Sequence, residues 1–212
     1  MRTLIAIPCM DTVNTLFFTS MMALRKGADT EIAVSCSSLI YSARNMLAKK
    51  AVENGFDRVL WLDSDMTFKP DLLERLSAHL DRGLEYVSVM YYKRKSPVEP
   101  CILQKLELVE KDDGELLPVA KAVGDYPRGL FRIAGGGFGG VMMTTELIKR
   151  CGPLPFFPMN GFGEDYTFCM KAREAGAELW CDGSIVAGHL GTTCFNEESM
   201  TIEQQKQRKE ES

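Results

Sequence analysis

The stretch VLWLDSDMTF, Val59 to Phe68, runs four apolar residues straight into two carboxylates one residue apart, then turns apolar again. A continuous apolar run bounded by turn residues reads as a strand buried on both faces, as in parallel sheets. Asp63 and Asp65 then stand at its carboxyl end, where open α/β sheets bind their ligands. Burying such groups without partners is costly, so the pair needs either solvent or chemistry. Oxygen ligands this close suit a hard divalent cation such as Mg²⁺ or Mn²⁺, above all when a substrate diphosphate completes the shell. A turn cap facing water suits the same residues. A calcium loop is excluded: with Asp63 at its first position, Phe68 falls where the sharp turn requires glycine.

Outward from this stretch, strand-like and helix-like segments alternate through the first 90 residues, the pattern of βαβ units around a mostly parallel sheet. LIAIP (Leu4 to Pro8) reads as a strand. Thr12 to Arg25 has helical spacing with Gly27 as its stop, and EIAVSC is a second strand. Ser37 or Ser38 is placed to cap a helix that ends at Asn54 and Gly55. Pro70 suits the first turn of a helix over Asp71 to Arg82, followed by the strand EYVSVM. Beyond Tyr91 come a basic loop, KRKSPVEP, and a hairpin around Asp113 and Gly114. The second half holds LFRIAGGGFGGVMM, a helix over Thr144 to Arg150, and a helix opened by GEDYTF that ends at Gly176. A polar tail covers residues 196–212. His79, inside a helix among polar residues, is expected at the surface.

The chain has 212 residues, 45% of them hydrophobic, enough for a sizeable core. A net charge of -4 argues against a nucleic-acid surface, which needs clustered Lys and Arg. Seven scattered cysteines without a CxxC pair favour reduced thiols over a disulfide framework or zinc site. MRTLIAIPCM lacks the form of a signal peptide, and no apolar run reaches membrane-spanning length, so a cytoplasmic protein is expected.

ARNMLAKKAVENGFDRVLWLDSDMTF (Ala43 to Phe68), GEDYTFCMKAREAG (Gly163 to Gly176) and GHLG (Gly188 to Gly191), in this order, resemble the family 2 nucleotide-sugar glycosyltransferases. The resemblance implies a GT-A-like single α/β domain over residues 1–195, with a mostly parallel central sheet flanked by helices. Its Rossmann-like nucleotide-binding half would cover 1–90 and its acceptor half 91–195. It also implies metal-dependent transfer from a nucleoside-diphosphate sugar, with inversion. Pro8, Arg44, Asp63, Ser64 and Asp65 would contact the donor, and Asp65, Asp63 and His189 would hold Mn²⁺ or Mg²⁺. Asp165 would be the general base and Glu164 would orient the acceptor. The partners implied are a nucleotide-sugar donor and a glycan, lipid or small-molecule acceptor; homo-oligomerisation stays open.

Both acids open a helix, where the dipole favours them whatever their role and should lower the pKa of Asp165. GGGFGG, Gly135 to Gly140, satisfies GxGxxG but opens no helix. It reads as a backbone-close wall of the site or as close strand packing. SCSSL replaces the acid that family 2 members commonly use against the nucleotide base, so the base stays open. DSDMT also resembles the DxDxT motif of haloacid-dehalogenase-like phosphatases, with Asp63 as nucleophile. A non-catalytic nucleotide-sugar-binding homologue is the third alternative.

Overall fold

The computed structural model describes residues 1–95 and 97–191, so the polar tail lies outside the described residues. The first 90 residues form β1 (Thr3–Cys9), α1 (Thr15–Ala23), β2 (Thr30–Cys36), α2 (Ile40–Glu53), β3 (Arg58–Leu62), β4 (Met66–Thr67), α3 (Leu72–Leu80) and β5 (Tyr86–Met90). β1 is buried along its whole length and pairs in parallel with β2 and β3, as continuous apolar strands between helices dictate.

Helix boundaries follow their local chemistry. α1 begins after Asn14, whose side chain accepts from the Leu16 amide at 2.8 Å. It ends at Ala23 rather than at Gly27, because the buried Leu24 turns extended. Neither expected serine caps α2. Leu39 holds the cap position, and Ser37 Oγ accepts from the Leu39 amide just ahead of it. Glycines with positive φ follow α2 at Gly55 and α3 at Gly83, where side chains would be strained.

The second half adds the hairpin β6 (Ile102–Glu110) and β7 (Leu116–Ala122), then β8 (Leu130–Arg132), β9 (Gly135–Gly136), β10 (Gly140–Thr144), α4 (Thr145–Arg150), α5 (Glu164–Glu174), β11 (Trp180–Val186) and β12 (Gly188–His189). The central sheet has the order β2-β1-β3-β10-β5-β11-β8. β10 lies antiparallel between β3 and β5, and β8 is antiparallel to β11, while the other strands run one way. The alternating pattern of the first half thus predicts the directions of β3 and β5 but not the strand between them.

An aromatic cluster ties the halves together. Trp61 of β3 lies 4.9 Å from Phe156, Phe156 stacks on Phe168 at 4.8 Å, and Phe138 meets Phe168 edge-on at 5.3 Å. Phe138 belongs to the glycine run, and the flanking glycines let neighbours close in around it. A Cβ on Gly135 would meet Leu106 at 2.7 Å, on Gly139 Met66 and Tyr91 at 2.9 Å, and on Gly140 Val89 at 2.6 Å. His79 is not a free surface residue: its Nε2 lies 2.8 Å from Asp182 Oδ2, linking α3 to β11. The six described cysteines are free thiols, and no helix among the described residues is long and apolar enough to cross a membrane.

Candidate functional site

The turn Asp63-Ser64-Asp65 leaves the carboxyl end of β3 and is held on both sides. The Asp63 carbonyl accepts from the Met66 amide at 3.2 Å, and the Ser64 carbonyl from the Asn14 amide at 3.2 Å. β4 then pairs with β12 through Gly188 opposite Thr67 and His189 opposite Met66, and the Leu190 amide donates to the Asp65 carbonyl at 2.8 Å. This two-stranded ribbon brings His189, far away along the chain, against Asp65: Nε2 and Oδ2 are 3.6 Å apart. His189 Nδ1 lies 2.9 Å from the Tyr92 carbonyl, which can only accept, so Nδ1 carries a proton and Nε2 faces the carboxylate.

Charge in this corner is balanced locally. Hydrogen bonding to Asp65 raises the His189 pKa to about 10. Burial disfavours the ionised form of Asp65, but His189 and Arg94 outweigh it and hold the carboxyl below the usual range. Arg94, from the basic loop, donates to Asp65 Oδ2 at 2.7 Å and to the Leu190 carbonyl at 3.1 Å. Nothing in the spacing of KRKSPVEP singles it out; only its rarity as a basic run in an acidic chain marks the segment.

Arg44, on α2, is not a solvated helix arginine. It is 3% exposed, with Nη2 at 2.8 Å from Asp63 Oδ1 and Nε at 3.1 Å from Glu164 Oε1. Its guanidinium carbon lies 5.2 Å from the Phe138 ring centre, and Nη1 is buried without a hydrogen-bond partner among the described residues. One arginine therefore joins the DSD turn to the start of α5. Burial opposes its charge, and Asp63, Glu164 and Asp165 together keep it protonated.

Asp165 sits in the first turn of α5, after Gly163, with Oδ1 accepting from the Tyr166 amide at 2.7 Å. Its pKa is raised to about 6, chiefly by burial and then by the adjacent charge of Glu164. The helix end favours the anion, as expected, but loss of water and a neighbouring carboxylate win. A Cβ on Gly137 would lie 2.1 Å from the Tyr91 hydroxyl and 3.4 Å from Asp165 Oδ2, so this glycine keeps the floor beside Asp165 open. Gly137 and Phe138 line the cleft, while the other glycines of the run allow close strand packing.

Pro8, Arg44, Asp63, Ser64, Asp65, Glu164, Asp165 and His189 all line one cleft of about 810 Å³ at the carboxyl ends of β1 and β3. The cleft also takes in Asp11, Tyr91, Arg94 and Tyr166, which the sequence reading passed over. No group of three or more His, Cys, Asp or Glu among the described residues is arranged to hold a metal ion. The expected trio divides: Asp63 Oδ1 is engaged by Arg44, while Asp65 and His189 face each other. Two ligands of one cation at about 2.0–2.2 Å can stand 3.6 Å apart, and Nε2 is the nitrogen that faces inward, but with a pKa of about 10 it carries a proton that a cation would have to displace. With Arg94 moved off Asp65 and His189 deprotonated, the pair would supply two ligands of a divalent cation, water and substrate oxygens completing the shell.

No family model matches this sequence, and no curated protein does. Among solved structures, A197 from STIV is similar at 18% identity with a TM-score of 0.66, over 91% of this chain and 87% of that one. GalNAc-T7, crystallised with UDP, GalNAc and Mn²⁺, is similar at 10% identity with a TM-score of 0.62, over 91% of this chain and 43% of that one. At such identities the likeness concerns architecture, and the architecture is that of a GT-A-like α/β fold.

Proposed function

We propose that this chain transfers a glycosyl unit from a nucleoside-diphosphate sugar to an acceptor hydroxyl, with a divalent cation at Asp65 and His189. The observation that carries this reading is the convergence of the DSD turn, His189 and a desolvated Asp165 on one cleft at the strand ends of a GT-A-like fold. That a neighbour of this fold was crystallised with UDP, GalNAc and Mn²⁺ supports the choice of donor class and metal. A bound cation supplies Lewis-acid stabilisation of the departing diphosphate.

The remaining work falls to side chains. Asp63, braced by Arg44 through Oδ1, offers its other oxygen to the ribose. Glu164, engaged by Arg44 Nε, orients the acceptor side rather than taking a proton. Asp165, with a pKa near 6, is ionised at neutral pH yet more basic than an ordinary aspartate, which suits removal of the acceptor proton. A single displacement with one base on the acceptor side inverts the anomeric centre. The phosphatase alternative is disfavoured because the ion pair with buried Arg44 blunts Asp63 as a nucleophile.

Melting curves with UDP or GDP, each in Mn²⁺ and in EDTA, test the reading. Ligand that binds the native state raises the melting temperature, and the rise should require Mn²⁺. Asp65→Ala should remove the metal-dependent part; if it keeps the full shift, the cation does not bind at Asp65.

A further inference from the structure

Of the three basic residues in the loop after Tyr92, Lys93 and Arg94 line the cleft, and only Arg94 pairs with Asp65. Lys93 and Lys95 both turn to Glu99, at 3.2 and 2.9 Å, and are neutralised there. Arg94 instead crosses to Asp65 and the Leu190 carbonyl. Its path is built: the aliphatic stem runs over Gly191, where an added Cβ would lie 3.2 Å from Arg94 Cδ. GHLG therefore serves two residues, aiming His189 at Asp65 and leaving room for Arg94. The guanidinium is half exposed, so it can leave this position without unpacking the core.

The geometry creates a conflict. Arg94 donates to Asp65 Oδ2, the same oxygen that faces His189. A divalent cation taken up between Asp65 and His189 would lie against the guanidinium, and two like charges on one carboxylate oxygen repel. The cation must displace Arg94. A displaced guanidinium at the mouth of a cleft lined by Asp63, Asp65 and Glu164 needs a new anion, and the planar fork of arginine suits phosphate oxygens. Resting on the donor reading above, we propose that Arg94 is a second diphosphate-binding cation, held on Asp65 until the divalent ion releases it to the donor.

This arrangement makes two forecasts of opposite sign for Arg94→Ala. Without the competing guanidinium, Mn²⁺ alone should bind more tightly, by severalfold or more in a titration followed by the paramagnetic signal of free Mn²⁺. In saturating Mn²⁺, UDP and GDP should bind about ten- to hundredfold more weakly, the range for a lost charge-assisted hydrogen bond. Binding of uridine and guanosine, which lack the diphosphate, should stay unchanged. Arg94→Lys should recover part of the diphosphate affinity, and Arg94→Gln should behave as Arg94→Ala; ligand-free melting temperatures check that each variant folds.

Unchanged Mn²⁺ affinity together with unchanged diphosphate affinity overturns the role of Arg94 while leaving the donor reading standing. Equal losses for nucleoside and diphosphate also overturn it, since they would mean general damage to the cleft. If the unaltered protein binds Mn²⁺ but neither diphosphate, the donor reading itself fails and this role falls with it.

Discussion

At the scale of single residues, Asp165 carries conflicting demands of stability and chemistry. Its folded pKa of about 6 lies above the unfolded value of about 3.9. The folded state therefore binds more protons between these values, so stability falls as pH rises through that window and the full penalty is present above it. Asp165→Asn should remove the penalty and raise stability by about 1–2 kcal/mol at pH 7.5, with the advantage vanishing near pH 4. A residue that merely served the helix end would behave in the opposite way, costing about 0.3–1 kcal/mol on neutralisation. If Asp165 is the base, transfer by the unaltered protein should fall below pH 6, and the variant should lose about 10² to 10⁴ in rate and the acid limb with it. Melting temperature and rate measured across pH 4 to 8 read both effects; a destabilised variant with a normal rate would refute the assignment. Arg44 shows the same coupling in milder form, because the guanidinium that braces Asp63 is also what makes burial of Glu164 tolerable.

At the scale of elements, the short ribbon of β4 and β12 sets the position of His189 against Asp65, the pair proposed to hold the cation. Two residues per strand contribute little stability, but they dictate which way His189 points. Gly188 is the tight point: a Cβ there would meet Thr67 Oγ1 at 2.4 Å, with the next atom at 3.8 Å. Gly188→Ala should push the strands apart and tilt His189 away from Asp65. Its Mn²⁺-dependent melting shift should shrink by half or more while the ligand-free melting temperature moves little. Thr67→Ala takes away the clashing oxygen, so the double variant should recover the shift, and the interaction between the two substitutions is the measured quantity. Additive losses would mean that the ribbon does not set the site. The same glycine-by-neighbour logic explains GGGFGG, a motif that invites a dinucleotide reading and instead supplies close strand contacts and one open floor position at Gly137.

At the scale of the whole molecule, the halves are interleaved rather than adjacent. β3 and β5 of the first half meet only through β10, which arrives from residue 140 onward. A fragment of residues 1–95 would expose one edge of β3 and both edges of β5, and lose the Phe138, Phe156 and Phe168 side of the aromatic cluster. It should lack a cooperative melting transition, whereas the full chain should have one; a cooperatively folded fragment would show the first half to be independent. What the sequence determined alone was whatever depends on neighbours along the chain. Apolar runs and period-3.6 patterns specify β1, β2, β3 and β5 with their helices, the apolar run of β3 ends in DSD, and the ordered motifs pick out Arg44, Asp63, Asp65, Glu164, Asp165 and His189, which later meet in the cleft, though not Asp11, Tyr91 or Arg94. Tertiary structure decided the rest, because those features depend on partners brought together from different elements. Among them are the insertion of β10, the burial of Arg44 between Asp63 and Glu164, the pairing of Asp63 with Arg44 rather than with His189, and the reach of Arg94 to Asp65. The pKa of Asp165 belongs with them: local sequence supplies only the helix dipole, and the stronger effect, loss of water, exists only once the second half has closed over the first.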